Sequence, residues 1–116
     1  MKESDLMKRI QVEASKICAR LWRNNSGALK NDRGQWVTYG LGVGTSDLIG
    51  LKIETITQEM VGKRNARFVA IEVKSEKGRA TPEQENFVNF IRECGGIATI
   101  CKSTEEALTV LSNTTT

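Results

Sequence analysis

Two short stretches decide the fold: Gly44-Thr45-Ser46-Asp47-Leu48-Ile49-Gly50 and Val69-Ala70-Ile71-Glu72-Val73-Lys74. Both contain apolar, β-branched runs that are typical of strands, and we expect them to lie side by side in a sheet. Alternate residues of a strand share a face, so Glu72 and Lys74 point to the same side. The carboxylates of Asp47 and Glu72 and the ammonium of Lys74 then converge on one spot.

Charged side chains in such apolar runs need a physical reason. Two neighbouring carboxylates repel each other unless a cation lies between them, and oxygen ligands suit a hard divalent ion such as Mg²⁺ or Mn²⁺. Asp47 and Glu72 therefore predict a metal site of the kind that nucleases use. The alternative is that Glu72 and Lys74 form only a solvated ion pair, which contributes about 0–1 kcal/mol to stability.

This arrangement resembles the PD-(D/E)XK nuclease superfamily and, within it, the small VRR-NUC domains, which include free-standing phage proteins. The matching residues keep the order and spacing of the family and span most of the chain; they are Glu13 and residues 23–27, 44–47, 72–74 and 81–84. Ser46 is a departure, because the family usually has proline before the aspartate. The resemblance implies an α/β fold with a restriction-endonuclease-like core.

The resemblance also implies the metal ligands. Asp47, Glu72 and the backbone carbonyl of Val73 would bind Mg²⁺ or Mn²⁺ directly. Glu13 would bind a second ion or a metal-bound water from the first helix. The cofactor would be the divalent ion alone, with no organic cofactor.

Two further catalytic roles follow from the resemblance. Lys74 would orient or help deprotonate the attacking water, and Gln84 would hold Lys74 or that water. The implied activity is that of a metal-dependent endodeoxyribonuclease acting as a homodimer on branched DNA, such as four-way (Holliday) junctions. The alternatives are a non-catalytic nucleic-acid-binding module on the same fold and a nuclease with little structure selectivity.

Composition limits the protein to one small intracellular domain. A chain of 116 residues supports a single domain, residues 1–116, and we expect a frayed tail over 112–116. Three cysteines without any histidine argue against a zinc site and favour buried thiols in a reducing compartment. No apolar run is long enough to span a bilayer and no signal peptide is evident, so we expect an intracellular protein. The resemblance to free-standing phage proteins implies the cytoplasm of a bacterial, phage-infected host.

The net charge of +3 is too small to indicate nucleic-acid binding, so the distribution of charge has to carry that argument. Residues 24–35 are polar and contain two glycines, which predicts a loop or irregular hairpin. Its donors and those near the catalytic strand are candidates for DNA phosphate contacts; they are Arg23, Asn24, Asn25, Ser26, Lys30, Arg33, Lys77 and Arg79. For Asn24 and Asn25 the alternative is turn chemistry.

Periodicity predicts the element order α-β-β-β-α-β-α around a mixed central sheet. Apolar spacing indicates a first helix over 4–22, with Glu13 at the edge of its apolar stripe, partly buried or salt-bridged. Strands are predicted at 36–39, 48–57, 67–74 and 97–101, the second and third of these as an antiparallel pair.

Capping signals place the last two helices. Thr81, Pro82 and Gln84 begin the second helix, and Ser103 with Glu106 caps a third that runs through Leu111. Gln84 is thereby explained either by its capping box or by the active site. Candidate dimer contacts are Trp22, Trp36, Tyr39 and Leu41, although core packing is the more common fate of such residues.

Overall fold

A helix and four consecutive strands form the first half of the described range, and strands and helices alternate in the second half. A computed structural model describes residues 2–112, which form α1 (Glu3–Ser15), β1 (Ala19–Arg23), β2 (Gly27–Lys30), β3 (Trp36–Tyr39), β4 (Leu48–Lys52), a 3₁₀ turn (Gln58–Met60), β5 (Val69–Val73), α2 (Pro82–Glu93), β6 (Ile97–Cys101) and α3 (Thr104–Ser112). The mixed α/β class is confirmed. The chain divides after Glu54 into two compact units.

The strands of the described range form three two-stranded sheets. β1 pairs with β4 and β2 pairs with β3, both antiparallel, whereas β5 and β6 are parallel. The predicted antiparallel pairing of 48–57 with 67–74 is wrong, because the ladder partner of β4 is β1 and that of β5 is β6. Two strands of the structure, β1 and β2, were not predicted from the sequence.

The first helix is shorter than predicted. α1 ends at Ser15, and Cys18 adopts a left-handed backbone with φ of 64°, which no helix can continue through. Residues 19–23 follow as β1, where each residue has a backbone partner on β4. The predicted helix over 4–22 is therefore wrong beyond residue 15, since strand pairing with a distant segment overrides the local apolar spacing.

In the first unit, β1 and β4 approach each other closely at Gly50. Gly50 lies opposite Leu21, and a Cβ at Gly50 would collide with the backbone carbonyl of Arg20. The ladder continues past the strand ends, because the Asn24 amide donates to the Asp47 carbonyl at 2.8 Å. Asp47 is thus held opposite Asn24, just before β4 begins.

β2 and β3 form a hairpin, as the composition of residues 24–35 indicated. Its turn is ordered by Asn31, whose Oδ1 accepts from the amides of Arg33 and Gln35 at 2.9 Å each. Trp36, Tyr39 and the following Leu41 are exposed, so core packing of these three residues is excluded.

The second unit holds the buried core. α2 connects β5 to the parallel strand β6, and the buried side chains are Val88, Ile91, Ala98, Thr99 and Cys101. Of the cysteines, Cys101 is buried as expected, Cys94 is half-buried and Cys18 is exposed, which contradicts its predicted burial.

The helix ends of the second unit follow the predicted caps. Ser103 Oγ accepts from the Glu106 amide at 3.1 Å, and α3 extends to Ser112. The predicted tail therefore does not include Ser112, and residues 113–116 lie outside the described residues. No helix within residues 2–112 has the length and apolarity to cross a bilayer.

Candidate active site

Glu72 and Lys74 form an ion pair at the end of β5. Glu72 Oε2 lies 3.5 Å from Lys74 Nζ, and the side chains are 33% and 19% exposed. Their position on one face confirms the alternation expected of a strand. The backbone of Lys74 is fixed as well, because its amide donates to the Cys101 carbonyl at 2.9 Å. The pair is therefore more shielded and more constrained than an ordinary surface ion pair.

A cavity of about 400 Å³ opens beside Glu72 in the second unit. β5 and the first two turns of α2 line it, through Ala70, Ile71, Glu72, Glu83, Gln84, Phe87 and Val88. The polar groups gather at Glu72, Glu83 and Gln84, and the remaining lining is apolar. Two acidic residues and one amide residue thus border the same, largely apolar, space.

Gln84 has the structural role that its capping box predicts. The Thr81 amide donates to Gln84 Oε1 at 2.9 Å, and the Gln84 amide donates to Thr81 Oγ1 at 3.2 Å. Because the box engages the side-chain oxygen, the Nε2 amide is the group of Gln84 suited to act in the cavity, and it is a donor only. Gln84 therefore fits the role of a donor to a water or a phosphate oxygen better than that of an acceptor for Lys74.

The loop before Asp47 is anchored by Asn24. Its Nδ2 donates to Thr45 Oγ1 and to the Ser46 carbonyl at 2.9 Å each, and its Oδ1 accepts from Ser26 Oγ and from the Leu41 amide at 3.1 Å each. All four hydrogen-bonding positions of the amide are filled. Asn24 thus closes the loop against the end of β1.

The glycines of this loop supply the backbone conformations that the anchor requires. Gly40, Gly42 and Gly44 have φ values of 71°, 113° and 87°, a region that other residues rarely adopt. Ser26 Oγ accepts from the Gly42 amide at 3.3 Å, so both Asn24 and Ser26 bind the loop. Their side chains are committed to the fold, but through bonds to this distant loop and not through the local turn chemistry that was the alternative for Asn24.

Glu13 is exposed on α1 and pairs with Lys16. The two charged groups lie 2.9 Å apart, and the Glu13 side chain is 60% exposed. The expected partial burial of Glu13 is wrong, because the helix ends before residues 17–22 could extend its apolar stripe. The ion pair that was the alternative interpretation is present.

Some of the other predicted site residues lie in the second unit and the rest lie in the first. In the second unit Glu72 pairs with Lys74 and lines the same cavity as Gln84, while exposed Lys77 and Arg79 follow β5 in the next loop. In the first unit Asp47 is exposed beside the loop that Asn24 anchors; the other basic or polar candidates there are Arg23, Asn25, Lys30 and Arg33, all exposed.

Within residues 2–112, no three acidic or cysteine side chains gather in a group that could hold a metal ion. The predicted direct ligand set contains only two such side chains, Asp47 and Glu72, with the Val73 carbonyl as the third donor. All three are oxygen donors, the class that Mg²⁺ and Mn²⁺ prefer, so the donor chemistry fits a hard divalent ion.

Two features were not predicted from the sequence: Glu83 lines the cavity, and Trp36 is exposed. Glu83 lines the cavity with Glu72, but an acid in the first turn of a helix is explained equally well by the helix dipole, so no local signal singled it out. Trp36 is 69% exposed, and the basic residues of its hairpin were the only available hint.

Comparison with known proteins supports the resemblance. The family model of the VRR-NUC domain matches residues 2–105 of the chain. No curated protein and no solved structure matches it significantly.

Proposed function

Because the chain belongs to the VRR-NUC family, and is thus a nuclease-type domain, we propose that it is a divalent-metal-dependent endodeoxyribonuclease selective for branched DNA. The observation that carries the proposal is the shielded Glu72–Lys74 pair beside the cavity of the second unit. A carboxylate and an ammonium held on one strand face can act together on a phosphate and its attacking water.

The metal would be held by Asp47, Glu72 and the Val73 carbonyl. When bound, a divalent ion of this kind activates water and stabilises charge on a phosphate. The hydrogen bonds of Asn24 to Thr45 and Ser46 hold the segment that carries Asp47, so the ligand would be presented by an ordered loop. Glu13 is proposed only as an outer contributor, since it is already paired with Lys16.

Lys74 would act by charge and by hydrogen bonding. Its ammonium has three donors, so it can bind Glu72 and still donate to the attacking water and a phosphate oxygen. Preorganised donors of this kind stabilise the negative charge that develops on phosphorus. The Nε2 amide of Gln84 would donate to the same water or phosphate and fix its orientation.

The test measures cleavage of labelled linear duplex, flap, single-stranded and four-way-junction DNA in Mg²⁺, in Mn²⁺ and in EDTA. Asp47→Asn, Glu72→Gln and Lys74→Met should each lower the cleavage rate by about 10²-fold or more, as expected when a group that stabilises transition-state charge is removed. EDTA should abolish cleavage by the wild-type protein.

Matched controls separate the site from general charge effects. Asp5→Asn, Glu76→Gln and Lys63→Met change exposed residues of the same types and should leave the rate unchanged. Folded Glu72→Gln or Lys74→Met that cuts as fast as wild type would refute the assignment. Salt-dependent DNA binding without cleavage in either metal would support the non-catalytic module instead.

A homodimer would suit symmetric branched DNA, because a two-fold axis relates two active sites to two strands. The hairpin offers an uncharged face for such contact: Leu29 and Val37 are cross-strand partners there, and Tyr39 packs over Gly27. Leu29, Val37 and Tyr39 are all exposed. Since this face has no charges, bringing two copies of it together meets no charge repulsion, and we propose a second copy of the chain as its partner.

Light scattering tests the proposed dimer. Leu29→Glu should convert it to a monomer, because a two-fold contact would bring two buried carboxylates together. Leu108→Glu changes an exposed leucine of the second unit, outside the hairpin, and should remain dimeric. A monomeric wild-type protein at micromolar concentration would refute the dimer.

A further inference from the structure

The opposite face of the hairpin pairs a basic side chain with an exposed indole. Lys30 and Trp36 are cross-strand partners, and Lys30 Nζ lies 5.4 Å from the centroid of the Trp36 ring. This separation is within the range of a cation–π contact. Ala28 and Thr38 form the neighbouring pair on the same face, so the side chains next to the Lys30–Trp36 pair along the strands are small.

Trp36 remains 69% exposed despite this contact. An indole buries a large apolar surface when it finds a partner, so leaving most of it in water forgoes a substantial hydrophobic gain. The Lys30 contact also limits the orientations of the ring. An exposed, restrained aromatic plane loses little conformational entropy when another flat group stacks on it.

The hairpin end beyond this pair is ordered and basic. Asn31 Oδ1 accepts from two backbone amides, and the backbone amide of Asn31 donates to the Gln35 carbonyl at 2.9 Å. These bonds fix the turn that carries Arg33. The hairpin and its turn, residues 27–39, contain two basic residues (Lys30 and Arg33) and one acid (Asp32), a net charge of +1. The two cations suit a polyanion.

We propose that Trp36 is a stacking platform for an unpaired nucleobase, with Lys30 and Arg33 contacting the adjoining phosphates. The inference rests on the proposed function and specifies its substrate: DNA in which at least one base near the branch is free to stack. Every base has a π face, so such a platform recognises the absence of pairing rather than a sequence. It would therefore supply the preference for branched over fully paired DNA.

Tryptophan emission provides a direct readout. The chain has two tryptophans, so Trp22→Phe leaves Trp36 as the sole emitter. In EDTA, adding a duplex with a single-stranded flap should quench this emission, and a blunt duplex of the same sequence should not. Unchanged emission with flap DNA that binds would overturn the proposal.

Substitutions separate stacking from charge. Trp36→Leu should weaken binding of flap DNA roughly 5- to 150-fold, the range for stacking one base on an aromatic side chain, whereas Trp36→Phe should recover much of the loss. Trp36→Leu should leave the slope of log affinity against log salt unchanged, and Lys30→Met should reduce it by about 0.7. Val43→Ala truncates another exposed apolar residue and should bind as wild type does.

The outcomes also distinguish this inference from the nuclease proposal. Binding in EDTA does not depend on cleavage, so flap-specific quenching in a protein that cuts no DNA would support the platform and refute only the enzyme. Cleavage of flap DNA by Trp36→Leu at the wild-type rate and affinity would refute only the platform. If Trp36→Leu instead makes a dimeric protein monomeric with no loss of affinity, this face is a contact between copies and the platform is refuted.

Discussion

Replacing Asn24 by alanine tests whether one side chain holds the loop that carries Asp47. The substitution removes four hydrogen bonds, to Thr45, Ser46, Ser26 and Leu41. A hydrogen bond in a folded protein contributes about 0.5–1.5 kcal/mol net. Most of these bonds are solvent-accessible, so the former partners of Asn24 can bind water after the substitution. The lower end of the range per hydrogen bond therefore applies.

The expected loss for Asn24→Ala is therefore about 2 kcal/mol in the free energy of unfolding. For a chain of this length that corresponds to a decrease in Tm of roughly 8 °C. Asn25→Ala is the matched control, because the exposed Asn25 side chain makes one 3.4 Å contact with Arg23. Its expected change is below about 0.5 kcal/mol.

Urea denaturation and thermal melting of both variants measure this difference. Asn24→Asp adds a sharper test at neutral pH, because a carboxylate keeps the two acceptor positions but would face the Ser46 carbonyl without a donor. It should be at least as destabilised as Asn24→Ala. Equal melting temperatures for Asn24→Ala and Asn25→Ala would refute the reasoning that the network stabilises the loop.

Three further substitutions test the fold that positions the site. Gly50→Ala should lower the free energy of unfolding by about 2 kcal/mol or more, because the new Cβ meets the Arg20 carbonyl and the rigid backbone cannot move away. A urea midpoint equal to that of wild type would refute the close approach. Ile91→Ala should lower the free energy of unfolding by about 3 kcal/mol, since Ile91 is fully buried, whereas Leu108→Ala at an exposed site should lower it far less. Similar melting curves for the two variants would contradict the assigned core. Thr81→Ala should cost about 1 kcal/mol through loss of the α2 cap, and Thr81→Ser should restore it; if neither changes the unfolding free energy, the capping box contributes nothing.

Most of the second unit could be predicted from the sequence. Its helix caps join residues three positions apart, at Thr81 and Gln84 and at Ser103 and Glu106, so they were visible without tertiary information. The pairing of Glu72 with Lys74 follows from the two-residue period of a strand. These interactions are local, and their geometry is fixed by the chain itself.

The first unit was harder to predict because its interactions are distant in sequence. Apolar residues between 14 and 21 continue the helical spacing of α1, yet residues 19–23 pair with β4 instead. The bonds of Asn24 to Thr45 and Ser46 span 21 and 22 residues. Periodicity reports which residues prefer burial, but it does not report which strand edge will be available.

The sequence by itself determined the α/β class and the family and named the residues proposed for the chemistry, because these depend on residue identity, order and short spacings. Only the tertiary structure decided that Asn24 is saturated within the fold and that Trp36 lies exposed against Lys30. The physical reason is that satisfaction of a polar group and exposure of an apolar one depend on what surrounds the side chain, and those surroundings come from distant segments.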